Sequence, residues 1–148
     1  NVCIIDPKDS KQDEKRYAYG DILHEKRKRK GMTQFEARKL MRERNYYGSM
    51  MVEVGDADAL ISGISRNYRT TIKPALEVIG REERVNKVVG MYIMQTKKGT
   101  LFLADTTINE SPTAEEIAEI GVMIAKTVKQ FRIKPRLALL SYSNFGST

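Results

Sequence analysis

Four short polar segments of this chain carry the side chains that could do chemistry. Asp56 and Asp58 stand in "GDADALISG"; Ser62, Gly63, Ser65, Arg66 and Asn67 follow; Asp105, Thr106, Thr107 and Asn109 close "LFLADTTIN"; Ser141, Ser143, Asn144, Gly146 and Ser147 fill "SYSNFGS". Hydroxyls, amides, one guanidinium and glycines that let backbone N–H groups approach are a kit for holding phosphate, or a group that bears one, without covalent chemistry. None of them is a recognisable nucleophile with its base. Asp56 and Asp58 read more simply as turn-formers or partners of basic side chains than as direct participants. Arg66 is evenly divided between an anion ligand and a solvated surface group. The "SYSNFGS" loop is the strongest anion-binding candidate, with a plain structural turn as its competitor.

Other constellations fail on spacing. Asp56, Asp58 and Asp105 match no EF-hand or other carboxylate metal pattern, and no G-x-G-x-x-G or G-x-x-x-x-G-K-[ST] occurs. His24 is the only histidine and stands beside a run of cations, so a solvated ring is expected rather than a general base. Cys3 is the only cysteine, so an internal disulfide is excluded and a small apolar residue in a strand is expected, in a reducing cytoplasm.

The polar segments need elements to position them. "VCII" at residues 2–5 predicts a short buried strand closed by the turn "DPKDS". Thr33, with Glu36 three residues later, predicts a capped helix running to about Arg44. "SMMVEVG" at residues 49–55 predicts a strand whose end places Asp56 and Asp58, with "ADALISG" a second short strand or its continuation. Ile72, Ala75, Leu76 and Ile79 are spaced for one helical face, and Pro74 suits the first turn of such a helix. "VNKVVGMYIMQT" and "GTLFLADTTI" predict two antiparallel strands joined through "KKG". A long helix follows, capped by Ser111 or Thr113, with Pro112 in its first position and Ile117, Ile120, Ile124, Val128 and Phe131 as its buried stripe. "RLALLSYS" predicts a returning strand and so a crossover unit, which sets the fold class as α/β.

With 148 residues, 41% hydrophobic and 30% charged, the chain is long enough for a folded domain and has no apolar run of membrane-spanning length. The formal charge is +7, but residues 11–44 hold twelve Lys or Arg against six Asp or Glu, so nearly all of the excess is local and centres on "KRKRK". Such a patch suits duplex phosphate, a phosphorylated small molecule or an acidic neighbour, and no zinc ligand set or aromatic platform accompanies it. A basic nucleic-acid-binding module therefore remains only as a third reading.

Taken in order, "NYYGSMMVEVGDADALISG", "IKPALEVIG", "LFLADTTINESPTAEEIAEI" and "PRLALLSYSNFGS" resemble the phosphotransacetylase family of phosphate acetyl and butyryl transferases. More narrowly they resemble the phosphotransacetylase-like C-terminal domain of large bacterial NADP-dependent malic enzymes, on the strength of "SGISRNY" and of Asn144, Phe145 and Gly146 where true transferases tend to carry Thr-Lys-Gly. The resemblance implies a three-layer-type lobe with a mixed sheet, isocitrate/isopropylmalate dehydrogenase-like, one lobe of a two-lobed domain. Residues 1–37 would form a strand plus a basic helical or linker segment, and residues 38–148 the lobe, truncated at its C-terminal side.

The same resemblance implies acetyl-CoA or phosphate as ligand in a cleft shaped by Asp56, Asp58, Ser62, Arg66, Asp105, Thr106, Asn109, Ser141, Ser143, Asn144, Gly146 and Ser147. The family's catalytic serine, arginine and aspartate lie in a motif later than "SYSNFGS", so no residue here inherits a catalytic role. The leading expectation is an acetyl-CoA-sensing, oligomerising domain of a malic enzyme, inactive as an isolated fragment. NADP and a divalent metal, Mg or Mn, would belong to preceding domains of the parent enzyme. Implied partners are a second copy, as a homodimer or higher homo-oligomer, and acyl-CoA, with no specific nucleic acid and no membrane. The alternative is a transferase that moves an acetyl or butyryl group between phosphate and CoA.

Overall fold

The computed structural model describes residues 2–83 and 85–140, and the chain divides into two units, residues 1–82 and 83–148. In the first unit, α1 (Asp13–Arg27), α2 (Gln34–Leu40), α3 (Arg44–Glu53) and α4 (Tyr68–Val78) surround one core. Arg16, Tyr19, Gly20 and Leu23 are the buried face of α1, at the i, i+3, i+4, i+7 spacing of a helix stripe. Tyr19 and Leu23 meet Ala37 and Met41, Tyr46, Tyr47 and Met50 of α3, and Val78 of α4. The Arg16 guanidinium is itself buried and donates to the carbonyls of Pro7 and Asp9, both at 2.8 Å, and to the Asp13 carboxylate, tying the N-terminal turn to α1.

Local signals set several boundaries. Thr33 and Glu36 form the expected capping box of α2, which ends at Leu40, short of Arg44. The "KRKRK" run straddles the C-terminus of α1 and a 3-10 turn at Lys28–Lys30, closed by Gly31 at φ 85°. Cations are favoured at that pole of a helix, where carbonyls point outward. Lys26 pairs with Glu53, Arg27 approaches Glu77 at 3.6 Å and Lys28 pairs with Glu25, so much of the local charge is answered within the unit.

Four expectations are corrected here. Residues 2–5 form no strand: Val2 and Ile4 are 93% and 92% exposed, Cys3 is exposed, and no described strand offers them a ladder. "SMMVEV" lies in α3, because Tyr46, Tyr47 and Met50 reach the core together only at helical spacing. Residues 57–63 are likewise irregular rather than a strand. Pro74 sits seven residues into α4 rather than in its first turn.

In the second unit, β1 (Met91–Thr96) pairs antiparallel with β2 (Gly99–Ala104) through a turn at Lys97 and Lys98, with Thr96 opposite Gly99 and Met91 opposite Ala104. Gly99 takes φ 126°, which L side chains rarely adopt. The Thr96 hydroxyl closes the turn by donating to the Gly99 carbonyl at 2.8 Å. Helix α5 (Ala114–Gln130) begins at a second capping box, Thr113 with Glu116, so Pro112 lies one residue before the cap instead of inside the helix. Ile120 and Val128 are its buried residues, and Phe131 packs on Phe102 of β2 at 5.4 Å between ring centroids. Ile117 and Phe131, expected in the stripe, are 38% and 51% exposed.

The mixed sheet of a three-layer lobe is also corrected. The sheet among the described residues is this two-stranded antiparallel hairpin. Residues 136–140 are not assigned to a strand, which leaves the expected crossover without its second parallel member there. No described helix is long and apolar enough to cross a membrane.

Candidate functional site

Helix α3 and the segment that follows it build the candidate site of the first unit. The helix ends in a Schellman arrangement: Gly55, at φ 83°, donates to the Val52 carbonyl at 3.2 Å, and the Asp56 N–H reaches the Met51 carbonyl at 2.8 Å. Residues 57–66 then run back along the same helix. Leu60 lies over Gly48, where a Cβ would meet its Cδ1 at 2.8 Å, so the missing side chain makes room for the strap. The Ser62 hydroxyl donates to Asn45 Oδ1 at 2.8 Å, and the Arg66 guanidinium clasps Glu43 at 2.7 and 3.5 Å.

Asn45 explains why the strap docks there. Pro74 has no N–H, so the carbonyl of Thr70, four residues earlier in α4, lacks its helical donor. The buried Asn45 amide faces that carbonyl at 3.5 Å while its oxygen receives Ser62. One side chain thus joins the proline gap of α4 to the strap.

Between the strap and the start of α3 lies a cleft of about 290 Å³, lined by Arg44, Asn45, Ser62, Gly63, Ser65 and Arg66 among others. Two guanidinium groups and two hydroxyls suit an anion that carries several oxygens. Ser62 and Arg66, two of the expected ligand residues, both line this cleft, and Glu43, Arg44 and Asn45 beside them were not among the residues expected. Their signal was the polar triplet "ERN" opening a helix, hidden by the expectation of one longer helix before it.

Asp56 is engaged elsewhere. It accepts from the buried Tyr19 hydroxyl and pairs with Lys15 Nζ at 2.8 Å, both on α1. Lys15 first, then Tyr19, holds its carboxyl below the usual range. Burial, and then the Asp56 hydrogen bond, push the Tyr19 phenol up to about 12. Asp56 thus anchors the start of the strap on α1. Asp58 is exposed in the bend that follows.

His24 departs from its expectation as a solvated ring. It is half-buried, and Nδ1 lies 3.0 Å from the Met32 carbonyl, which fixes the proton on that nitrogen because a carbonyl can only accept.

In the second unit Asp105 organises its own loop. Its carboxylate accepts from the N–H groups of Gly90 at 2.9 Å, Thr107 at 3.2 Å, Ile108 at 3.3 Å and Asn109 at 2.7 Å, and from the Asn109 side chain. Burial raises its pKa, but the Thr107 N–H and the Asn109 and Gly90 donors outweigh burial and hold the carboxyl low. Asn109 also donates to the Val88 carbonyl at 3.0 Å. A Cβ on Gly90 would come within 3.2 Å of the Thr106 hydroxyl, itself buried without a partner among the described residues. With five donors on it, Asp105 is a loop scaffold, and Thr106 and Asn109 belong to the same knot. Ser141, Ser143, Asn144, Gly146 and Ser147 lie outside the described residues. No group of three or more His, Cys, Asp or Glu among the described residues could hold a metal ion.

Comparison with known proteins places these features. The chain is 38% identical over 146 residues to a phosphate acetyltransferase of Synechocystis sp., covering 99% of this chain and 20% of that protein. It is 43% identical over 122 residues to the NADP-dependent malic enzyme of Escherichia coli, covering 82% of this chain and 16% of that protein. In three dimensions it matches the EutD phosphotransacetylase from Staphylococcus aureus with a TM-score of 0.80 and 32% identity, over 100% of this chain and 44% of that one. The chain thus spans less than half the length of each. The fold is phosphotransacetylase-like, which replaces the expected isocitrate/isopropylmalate dehydrogenase-like lobe. The model of the family described as "Phosphate acetyl/butaryl transferase" matches residues 1–148, and the chain belongs to that family.

Proposed function

We propose that this chain is part of a phosphate acyltransferase that moves a short acyl group between phosphate and coenzyme A. The observation that carries the reading is the cleft beside α3, where Arg44, Arg66, Ser62 and Ser65 converge in a member of a phosphate acyltransferase family. In one direction the CoA thiolate attacks the carbonyl carbon of an acyl phosphate. A carbon–sulfur bond forms, the carbon–oxygen bond to phosphate breaks, and its electron pair leaves on phosphate. No oxidant or reductant is needed. Guanidinium groups and oriented N–H donors serve such a step by holding the negative charge that builds on the departing phosphate. In this reading the Arg44 and Arg66 guanidinium groups and the Ser62 and Ser65 hydroxyls hold that charge, Asp56 anchors the strap that carries Ser62 and Arg66, and Asp105, Thr106 and Asn109 shape a loop of the second unit.

The test is acetyl phosphate formation from acetyl-CoA and inorganic phosphate by the full-length protein. Phosphate-dependent release of CoA supports the reading, and its absence from a folded, CoA-binding protein refutes it. A second reading, an acetyl-CoA-sensing domain of an NADP-dependent malic enzyme, is favoured by the 43% identity to one such enzyme. It requires that the full-length protein oxidise malate and that acetyl-CoA change that rate.

A further inference from the structure

We propose that Glu43 is an internal competitor for the anion site: it occupies Arg66 until a phosphate-bearing ligand displaces it, and so sets how tightly that ligand is held. The proposal rests on the transferase reading of the cleft and adds its control. Arg66 lines the cleft, yet both of its terminal nitrogens are turned to the Glu43 carboxylate, at 2.7 and 3.5 Å. Glu43 stands at the N-cap of α3, where a side chain ordinarily accepts helix N–H groups, and it makes no such bond. Its carboxylate is spent on Arg66 instead.

The pair is suited to exchange. The two side chains are 30% and 47% exposed, so the attraction is screened and weak by the measure of solvated ion pairs. A phosphate dianion offers Arg66 the same two-oxygen geometry with more charge. Arg44, adjacent to Glu43 and lining the same cleft, forms no ion pair among the described residues and would meet that anion directly. Because Glu43 repels the anion as well as holding its ligand, removing the carboxylate should help the ligand twice.

The experiment uses the full-length protein with inorganic phosphate as probe, measured by calorimetric titration and as KM in acetyl transfer. Glu43→Gln is expected to tighten phosphate about two- to fivefold, the gain from releasing one exposed ion pair. Arg66→Ala should weaken phosphate, and the double variant should behave like Arg66→Ala alone, since the gain requires a freed guanidinium. Glu43→Ser repeats the test with a side chain that caps the helix well, which guards against a folding defect at this position. Unchanged or weaker phosphate binding in both Glu43 variants overturns the proposal. So does an equal gain in the Arg66→Ala background, which would be general electrostatics, and so does failure of phosphate to bind any of the proteins. Loss of the transferase reading is separate: it would appear as no acetyl transfer while the Glu43 and Arg66 signature in phosphate binding persisted.

Discussion

Placing a methyl group at Gly20 tests the packing that carries the first unit. Gly20 lies mid-way along α1 and faces α2, where an added Cβ would stand 2.6 Å from Arg38 Cγ and 2.7 Å from Arg38 Cα. Carbon atoms rest at roughly 3.5–4.0 Å, so the two helices must separate by about 1 Å. Forcing a methyl into a filled contact costs about 1–3 kcal/mol, and a backbone Cα cannot swing aside. Alanine recovers about 1 kcal/mol of helix propensity over glycine. The displacement also disturbs the exposed Arg38 pair with Asp21, at 2.8 and 2.9 Å. Gly20→Ala should therefore destabilise the α1–α2 contact by about 1–2 kcal/mol. Native-state hydrogen exchange of α1 and α2 amides in the full-length protein reads that change locally. Gly48→Ala is the internal contrast: its nearest neighbour is the Cδ1 end of Leu60, a 42% exposed side chain that can change rotamer, so its net effect should lie within about 0.5 kcal/mol of zero. Equal stability of Gly20→Ala and wild type, or equal damage from both substitutions, would refute the packing argument.

Two other outcomes follow from the same unit. Asn45→Ala leaves the Thr70 carbonyl without its amide and unfastens Ser62, and it should lower stability by about 1–2 kcal/mol in chemical denaturation, with α4 amides losing protection first; unchanged protection of α4 would disprove the link between the proline gap and the strap. The Asp21 carboxyl is pulled from an ordinary 3.8 down to about 2, by Arg38 first and Gln34 second. A carboxyl depressed by folding contributes stability that is complete above the unfolded value and is lost as pH falls through the folded one, so this contribution should fade between about pH 4 and pH 2. Asp21→Asn should flatten the acid limb of the stability curve in that window, and an unaltered limb would exclude the pair as its source.

The parts of the structure legible in the chain are those encoded within about four residues. Thr33 with Glu36 and Thr113 with Glu116 announce helix starts because a capping box is a local exchange of hydrogen bonds. The hairpin through Lys97 to Gly99 is visible because two short apolar runs flank a glycine able to take positive φ. The order of blocks also points to the family, and residue type alone named Ser62 and Arg66 as candidate ligands. What tertiary structure decided is conformation and partnership over long separations. "SMMVEV" has β-favouring composition, yet it is helical because Tyr46, Tyr47 and Met50 gain a core shared with α1, and burial outweighs propensity. Asp56 stands at a helix end, and its meaning depends on Tyr19, 37 residues away. Glu43 and Arg66, 23 residues apart, meet only because the strap folds back along α3. Short-range hydrogen bonds leave a signature in the spacing of residues, whereas a contact made by packing leaves none until the chain has closed the loop between its ends.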